Sequence, residues 1–378
     1  MLFPYTYVPH QMEKMQEFID FIFFDVWCKA PIGLEFHPNL FDGKPELQDV
    51  MSEFGFSSKA AKRGKAFYKD VKTIYEHFEP LTPPQIKQFK KWYWGNNDLK
   101  KICVNNPAAH LVRYSDIDRF YPALSEQLAS FFKGLYSQSL LGLAPLESKI
   151  GIIGKHYTEF TRTNNQGKCP FCGINDILGP DHKYREAYDH YLPKAFYPFN
   201  SINFRNLVPA CHHCNSTYKG SKDTAFIPKD PCREQTRRKL FYPFSTQSYH
   251  ITLHVTLQHA HYEKLTRTDI GLSFGPPELA EEIATWKEVY GIEERYRAKL
   301  CSKDARVWVV EVLDEWRWHQ ESAGVEGRPP EAYLRAVARH TEKTPYASEN
   351  FLKCGFLQAC KAAGTFDGAA NANPSPGS

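Results

Sequence analysis

Three stretches decide the reading of this chain: Cys169-Pro170-Phe171-Cys172, then Asp189-His190-Tyr191-Leu192-Pro193-Lys194, then Asn206-Leu207-Val208-Pro209-Ala210-Cys211-His212-His213-Cys214-Asn215. The two C-x2-C dyads, with 38 residues between them, each place two thiolates on a tight turn. Folding the intervening segment between them closes a tetrahedral Cys169, Cys172, Cys211, Cys214 site for a structural Zn²⁺. Thiol exchange does not need two matched dyads, so metal is favoured over redox chemistry. Such a zinc is closed to substrate, and the enclosed Asp-His pair and Asn215 remain available for chemistry. His212 and His213, between zinc cysteines, are expected to face away from the metal.

Working outward, the chain has 378 residues, 42% of them hydrophobic and 24% charged, as in an ordinary globular protein. No window of about 20 apolar residues exists, so neither a membrane span nor a signal peptide is expected, and a cytoplasmic location follows. In a leaderless chain of this size, clustered cysteines are better read as ligands than as a disulfide framework. Cys28, Cys103, Cys232, Cys301, Cys354 and Cys360 lack ligand spacing and read as reduced, mostly buried thiols. Net charge is only +4 and announces no nucleic-acid partner, but between Lys155 and Lys222 nine basic residues face five acidic ones. That excess equals the whole chain's, so the remainder is formally neutral.

The periodicity predicts an α+β, mostly helical fold. Residues 1–150 form a helical region, with Met15, Phe18, Ile22 and Val26, and again Leu124, Leu128, Phe131 and Leu135, at helical steps. A helix is expected over Leu146–Thr161. Residues 151–228 form the candidate catalytic unit, strand-like up to His190 and turning at Pro193, with a helix starting at Asn215. Residues 229–363 hold short strands, Ser248–Leu257 and Gly271–Phe274, then helices at Pro277–Tyr290, Tyr296–Trp318, Glu331–Glu342 and Ser348–Ala363. Residues 364–378 are expected to be unfolded. Two basic, aromatic stretches, Lys59–Lys69 and Lys87–Lys101, suit a phosphate backbone but read better as solvated faces over an aromatic core. Asp181-His182 reads as an exposed turn, and Tyr188, Tyr191 and Phe196 as core packing. His250 and His254 read as part of a half-buried sheet surface.

The order C-x2-C, D-H-x-x-P-K, N-L-x-P-x-C-x2-C-N resembles the zinc-containing HNH endonuclease family, over about 55 residues from Cys169 to Asp223. The resemblance implies a ββα-metal core flanked by the two helical regions. It implies that His190 is the general base, Asp189 and Asn215 ligands of a catalytic divalent ion, and Asn206 the residue that fixes the loop and orients the base. Asn215 stands where other members carry histidine; it keeps an oxygen ligand of lower basicity. The expected products are a 5′-phosphate and a 3′-hydroxyl.

The chemistry is consistent on its own terms. Phosphodiester hydrolysis needs a deprotonated water and relief of charge at phosphorus, which a neutral imidazole and a divalent cation supply. One carboxylate and one amide oxygen suit a hard ion, Mg²⁺ or Mn²⁺. Lys194 and Lys219 are expected to neutralise substrate phosphates. An unperturbed imidazole predicts activity falling below about pH 6.5. The partner is DNA, with RNA left open, and the helical flanks offer a surface for a protein partner, as in a bacterial defence or toxin effector. The alternative is a non-enzymatic, zinc-stabilised module that binds nucleic acid.

Overall fold

The computed structural model describes residues 1–228, 235–323 and 330–367. The fold is α+β and mostly helical, and among the described residues the strands form two small antiparallel sheets of two strands each. The chain divides into two compact units that interleave along the sequence. One comprises Pro4–Asn165 with Leu178–Gln247; the other comprises Met1–Phe3, Gln166–Ile177 and Ser248–Ser378. The serial boundaries expected at 150 and 228 are therefore not those of the compact units. The physical reason is packing: the segment around the first cysteine dyad shares its buried surface with C-terminal helices, while β1 and β2 share theirs with N-terminal ones.

In the unit built on Pro4–Asn165, the helical stripes lie inward as their spacing predicts. Met15, Phe18, Ile22 and Val26 are buried, as are Leu124, Leu128, Phe131 and Leu135. The helix Lys14–Phe21 widens into a π turn at Ile22–Val26, tightens into a 3-10 stretch at Trp27–Ile32 and stops at Gly33. The helix expected over Leu146–Thr161 is instead two, Ala144–Ile150 and Ile153–Thr163. They break at Gly151, whose φ of +79° suits a residue without Cβ. The helices of both basic stretches bury a ring, Phe67 in one and Tyr93 in the other, and turn most of their lysines outward, but Trp94 of the second stretch is 63% exposed.

Strands β1 (Tyr188–His190) and β2 (Leu207–Pro209) pair antiparallel, with Asp189 opposite Val208 and His190 opposite Leu207. So short a hairpin buries too little surface to stand alone. Its Tyr188 and Leu207, with Phe199, Ile202 and Phe204 between them, join the same apolar cluster as Phe23, Trp27 and Phe132 of the helices.

His156 braces this junction from the helix Ile153–Thr163. Its Nδ1 pairs with the Tyr188 hydroxyl and its Nε2 lies 3.3 Å from the Val8 carbonyl. Burial, with a smaller contribution from the neighbouring His10, lowers its pKa to about 4. Between about pH 6.5 and 4 the unfolded chain therefore binds a proton that the folded chain refuses. The fold keeps this contribution above pH 6.5 and loses up to about 3 kcal/mol of it as the pH falls to 4. Urea denaturation across that interval should show a His156→Gln variant with a shallower pH dependence than the parent; equal slopes would remove this imidazole as the source.

In the other unit, β3 (Thr252–Leu257) and β4 (Ile270–Gly275) form the second sheet. Strand β3 starts later than the expected Ser248, because His250 adopts a φ of +46°. The expected helix Tyr296–Trp318 is replaced by Ile292–Leu300 and Lys303–Ala323, preceded by Ala280–Tyr290 and followed by Pro330–Lys343 and Asn350–Ala362. Part of the expected unfolded tail is packed: Phe366 is buried and the Thr365 hydroxyl donates to the Ala260 carbonyl at 3.0 Å. Residues 368–378 and Cys232 lie outside the described residues. Cys28, Cys103 and Cys360 are buried, while Cys301 and Cys354 are half-buried. Among the described residues no helix is long and apolar enough to cross a membrane.

Candidate metal centre and active site

The four dyad cysteines are all buried, and their Sγ atoms lie within 4.8 Å of one another. A tetrahedral zinc with bonds of about 2.3 Å needs sulfurs about 3.8 Å apart, so the donor set and its spacing fit that ion. The first dyad forms its knuckle through backbone bonds: Cys172 and Gly173 N–H both donate to the Cys169 carbonyl, at 3.3 and 2.7 Å. Gly173 has a φ of +68°, and a Cβ there would stand 2.3 Å from Leu2 Cδ1, so both backbone and space demand glycine. The turn is held from outside by Trp286 Nε1, which donates to the Phe171 carbonyl at 2.6 Å, and by the Tyr296 hydroxyl, which donates to the Cys172 carbonyl at 2.9 Å. Arg295 reaches the Asn175 side chain at 2.8 Å. After the second dyad the chain enters a wide helical turn, His213–Lys219. His212 and His213 are exposed, as expected of residues that do not face the metal.

The polar site sits where β1 ends. The Asn206 carboxamide accepts from Leu192 N–H at 2.7 Å and donates to the Leu192 and Asn200 carbonyls at 3.1 and 3.2 Å. One buried side chain thus pins the loop after the strand on both sides. His190 is half-buried; its Nε2 lies 2.9 Å from the Ser201 carbonyl, and the Tyr136 ring meets its imidazole edge-on with centroids 5.1 Å apart. A carbonyl can only accept, so Nε2 carries the proton and Nδ1 is left with its lone pair. Desolvation first, then the Lys194 charge and to a smaller extent that of Lys219, hold this imidazole down at about 3 against the Ser201 carbonyl. A loss of activity setting in near pH 6.5 is therefore not what this group produces, since it stays neutral until the pH nears 3.

Asp189 is 2% exposed. Its Oδ1 accepts from the Lys219 ammonium at 2.7 Å, and its Oδ2 is buried without a hydrogen-bond partner among the described residues. Burial pushes the carboxyl above its ordinary value, with Lys219 opposing. A carboxylate oxygen this deep and unsatisfied is the feature a hard cation fits.

Lys219 is the main departure from the sequence reading. Expected to face substrate phosphates, it is instead buried, its ammonium shared between Asp189 and the His190 carbonyl at 2.8 Å. With both contacts made inside the protein, it clamps the helical turn to β1 rather than offering an exposed charge. Asn215 lies one turn before Lys219 on the same short helix, half-buried. Lys194 is partly exposed, lies near enough to His190 to act on it electrostatically, and donates to the Lys133 carbonyl at 3.1 Å. Tyr188 and Tyr191 are core residues as expected, whereas Phe196 is 37% exposed. Asp181-His182 is the expected exposed turn, closed by Gly179 N–H donating to His182 Nδ1 at 2.9 Å.

Comparison with known proteins gives short matches. The chain is 34% identical to the Septu protein PtuB of Bacillus thuringiensis over 87 residues, 23% of this chain and 31% of that protein. It is also 45% identical to protein ea31 of Escherichia phage lambda over 53 residues, 14% of this chain and 16% of that protein. The chain thus covers less than a third of the length of these curated relatives. No family model matches it, and no solved structure matches it.

Two parts of the site carried no sequence signal. Ser201 contributes a main-chain carbonyl, which any residue offers, and Tyr136 arrives from a helix far away in sequence.

Proposed function

We propose that this chain is a metal-dependent, HNH-type endonuclease that hydrolyses DNA phosphodiesters. The observation that carries the reading is the unsatisfied, buried Asp189 Oδ2, next in sequence to an imidazole whose Nε2 is committed to the Ser201 carbonyl. His190 Nδ1 takes the proton of the attacking water, and the Ser201 carbonyl holds the ring in place as it charges. With its pKa lowered to about 3 by desolvation and the Lys194 charge, the imidazole is unprotonated near neutral pH but weakly basic; an anionic phosphate offsets Lys194 and raises its basicity in the complex. Asn206 keeps the loop, and with it the ring, from rotating away. Asp189 and Asn215 would hold Mg²⁺ or Mn²⁺, which supplies charge relief at the phosphoryl oxygens. Lys194 remains as a phosphate contact. The zinc of the four cysteines is structural. Similarity to the Septu protein PtuB supports a role in bacterial defence, with the flanking helices as the surface for a protein partner.

The test is plasmid nicking by the purified chain with added Mg²⁺ or Mn²⁺. His190→Ala should keep its zinc and its fold and lose about 100- to 10,000-fold in turnover. The seating of the Lys219 ammonium on Asp189 favours a second reading, a zinc module that binds nucleic acid without cutting it. DNA binding by both proteins with nicking by neither would decide for the module.

A further inference from the structure

A cavity of about 690 Å³ opens beside the helix Ile153–Thr163, walled on its other side by the loop that leads into β1. Gly154 and Tyr157 line it from the helix; Gly179, Lys183, Tyr184 and Arg185 line it from the loop. The walls leave room: a Cβ at Gly154 would meet nothing closer than Ile152 Cγ2 at 4.0 Å, and one at Gly179 nothing closer than His182 Nδ1 at 3.8 Å.

The loop's side chains are unusual for a surface turn. Tyr184 is 73% exposed, an aromatic ring left in water rather than packed. The Lys183 ammonium lies 5.7 Å from that ring's centroid, and the Arg185 guanidinium 5.8 Å from the ring of Tyr188. Neither cation is in an ion pair among the described residues. Of the carboxylates on this loop, Asp181 is exposed and Glu186 is half-buried, turned toward the Leu178 backbone. Arg185, on the cavity wall, is linked to the candidate base through one ring. The Arg185 charge acts on the Tyr136 phenol, and the Tyr136 ring is the one set edge-on against His190.

We propose that this cleft seats a single-stranded stretch of DNA next to the scissile phosphate, with a base stacked on Tyr184 and phosphates neutralised by Lys183 and Arg185. The proposal rests on the nuclease reading and deepens it by naming where the strand runs. An exposed ring near cations that are outside any ion pair among the described residues binds a strand whose bases are splayed, since every base offers a face to stack and every linkage a charge. A closed duplex keeps its bases from the ring. The catalytic residues at the end of β1 supply no aromatic platform of this kind.

The test is fluorescence anisotropy of the full chain with a labelled single-stranded oligonucleotide and with its duplex, without added divalent ion, beside cleavage kinetics with Mn²⁺. Tyr184→Ala should weaken single-strand binding roughly five- to 150-fold. The double variant Lys183→Ala/Arg185→Ala should weaken it and make the dependence of log affinity on log salt shallower by about 1.4. Gly154→Gln adds bulk and no charge, so it should weaken binding while leaving the salt slope unchanged. In cleavage, all three should raise KM and spare kcat. A wild type that cleaves DNA while every variant keeps its affinity and KM, or one whose variants lose duplex and single-strand binding equally, overturns the cleft alone. A wild type that neither binds nor cleaves overturns the nuclease reading and the cleft with it.

Discussion

Cys172→Ser and Cys211→Ser are each expected to yield a chain with almost no bound zinc and a loosened fold around the dyads. A seryl oxygen is a poor replacement for one of four thiolates, and in such sites the metal's binding free energy, about 10 kcal/mol or more, is also folding free energy. The knuckle also makes contacts of its own. It contributes Phe171, stacked on Tyr290 with centroids 4.7 Å apart, and two main-chain carbonyls that accept from Trp286 and Tyr296. Loss of the turn should therefore appear as a changed tryptophan fluorescence, as new protease cleavage between Gln166 and Ile177, and as a zinc content near zero by elemental analysis. Cys103→Ser is the control. Cys103 is a buried thiol outside the dyads, so its variant loses some stability and keeps its metal. A Cys172→Ser protein that stays folded and zinc-loaded would show that these sulfurs do not hold the ion.

The parts of this protein that were legible in advance are those whose chemistry repeats at short range. Dyad spacing is such a local pattern, and the four sulfurs meet as it requires. Helical stripes such as Leu124 to Leu135 were legible for the same reason. What could not be read was set at long range. The unit boundaries depend on Phe171 and Asn175 finding Trp286 and Arg295 more than a hundred residues later. The state of His190 depends first on desolvation and then on the Lys194 and Lys219 charges, none of which an unperturbed imidazole value contains. Helix ends went astray where a single backbone angle decides them, as at Gly151. Lys219 shows the limit most directly: a lysine near a phosphate-binding motif reads as a substrate contact until its burial is known.

That burial makes Lys219→Met the second large expected effect. Side chains 1% and 2% exposed form this pair, so removing the cation strands a carboxylate in a site already short of one hydrogen bond at Oδ2. Breaking a buried pair from one side costs about 3–5 kcal/mol, against less than about 1 kcal/mol for an exposed one. Asp189→Asn should cost a similar amount by stranding the ammonium. The double variant Lys219→Met/Asp189→Asn should be closer to the parent than either single change, because an uncharged amide beside an apolar chain leaves no buried charge. Chemical denaturation of the four proteins gives the coupling directly, and additive losses would mean the ion pair is not what holds the helical turn to β1. The same set separates a structural carboxylate from a metal ligand. In Lys219→Met a divalent cation becomes the natural countercharge for Asp189. Added Mn²⁺ should therefore raise its Tm more than that of the parent, and should do so least in Asp189→Asn. If Mn²⁺ shifts all of them equally, Asp189 is a brace for the hairpin, and the catalytic ion of an HNH-type centre must be sought elsewhere.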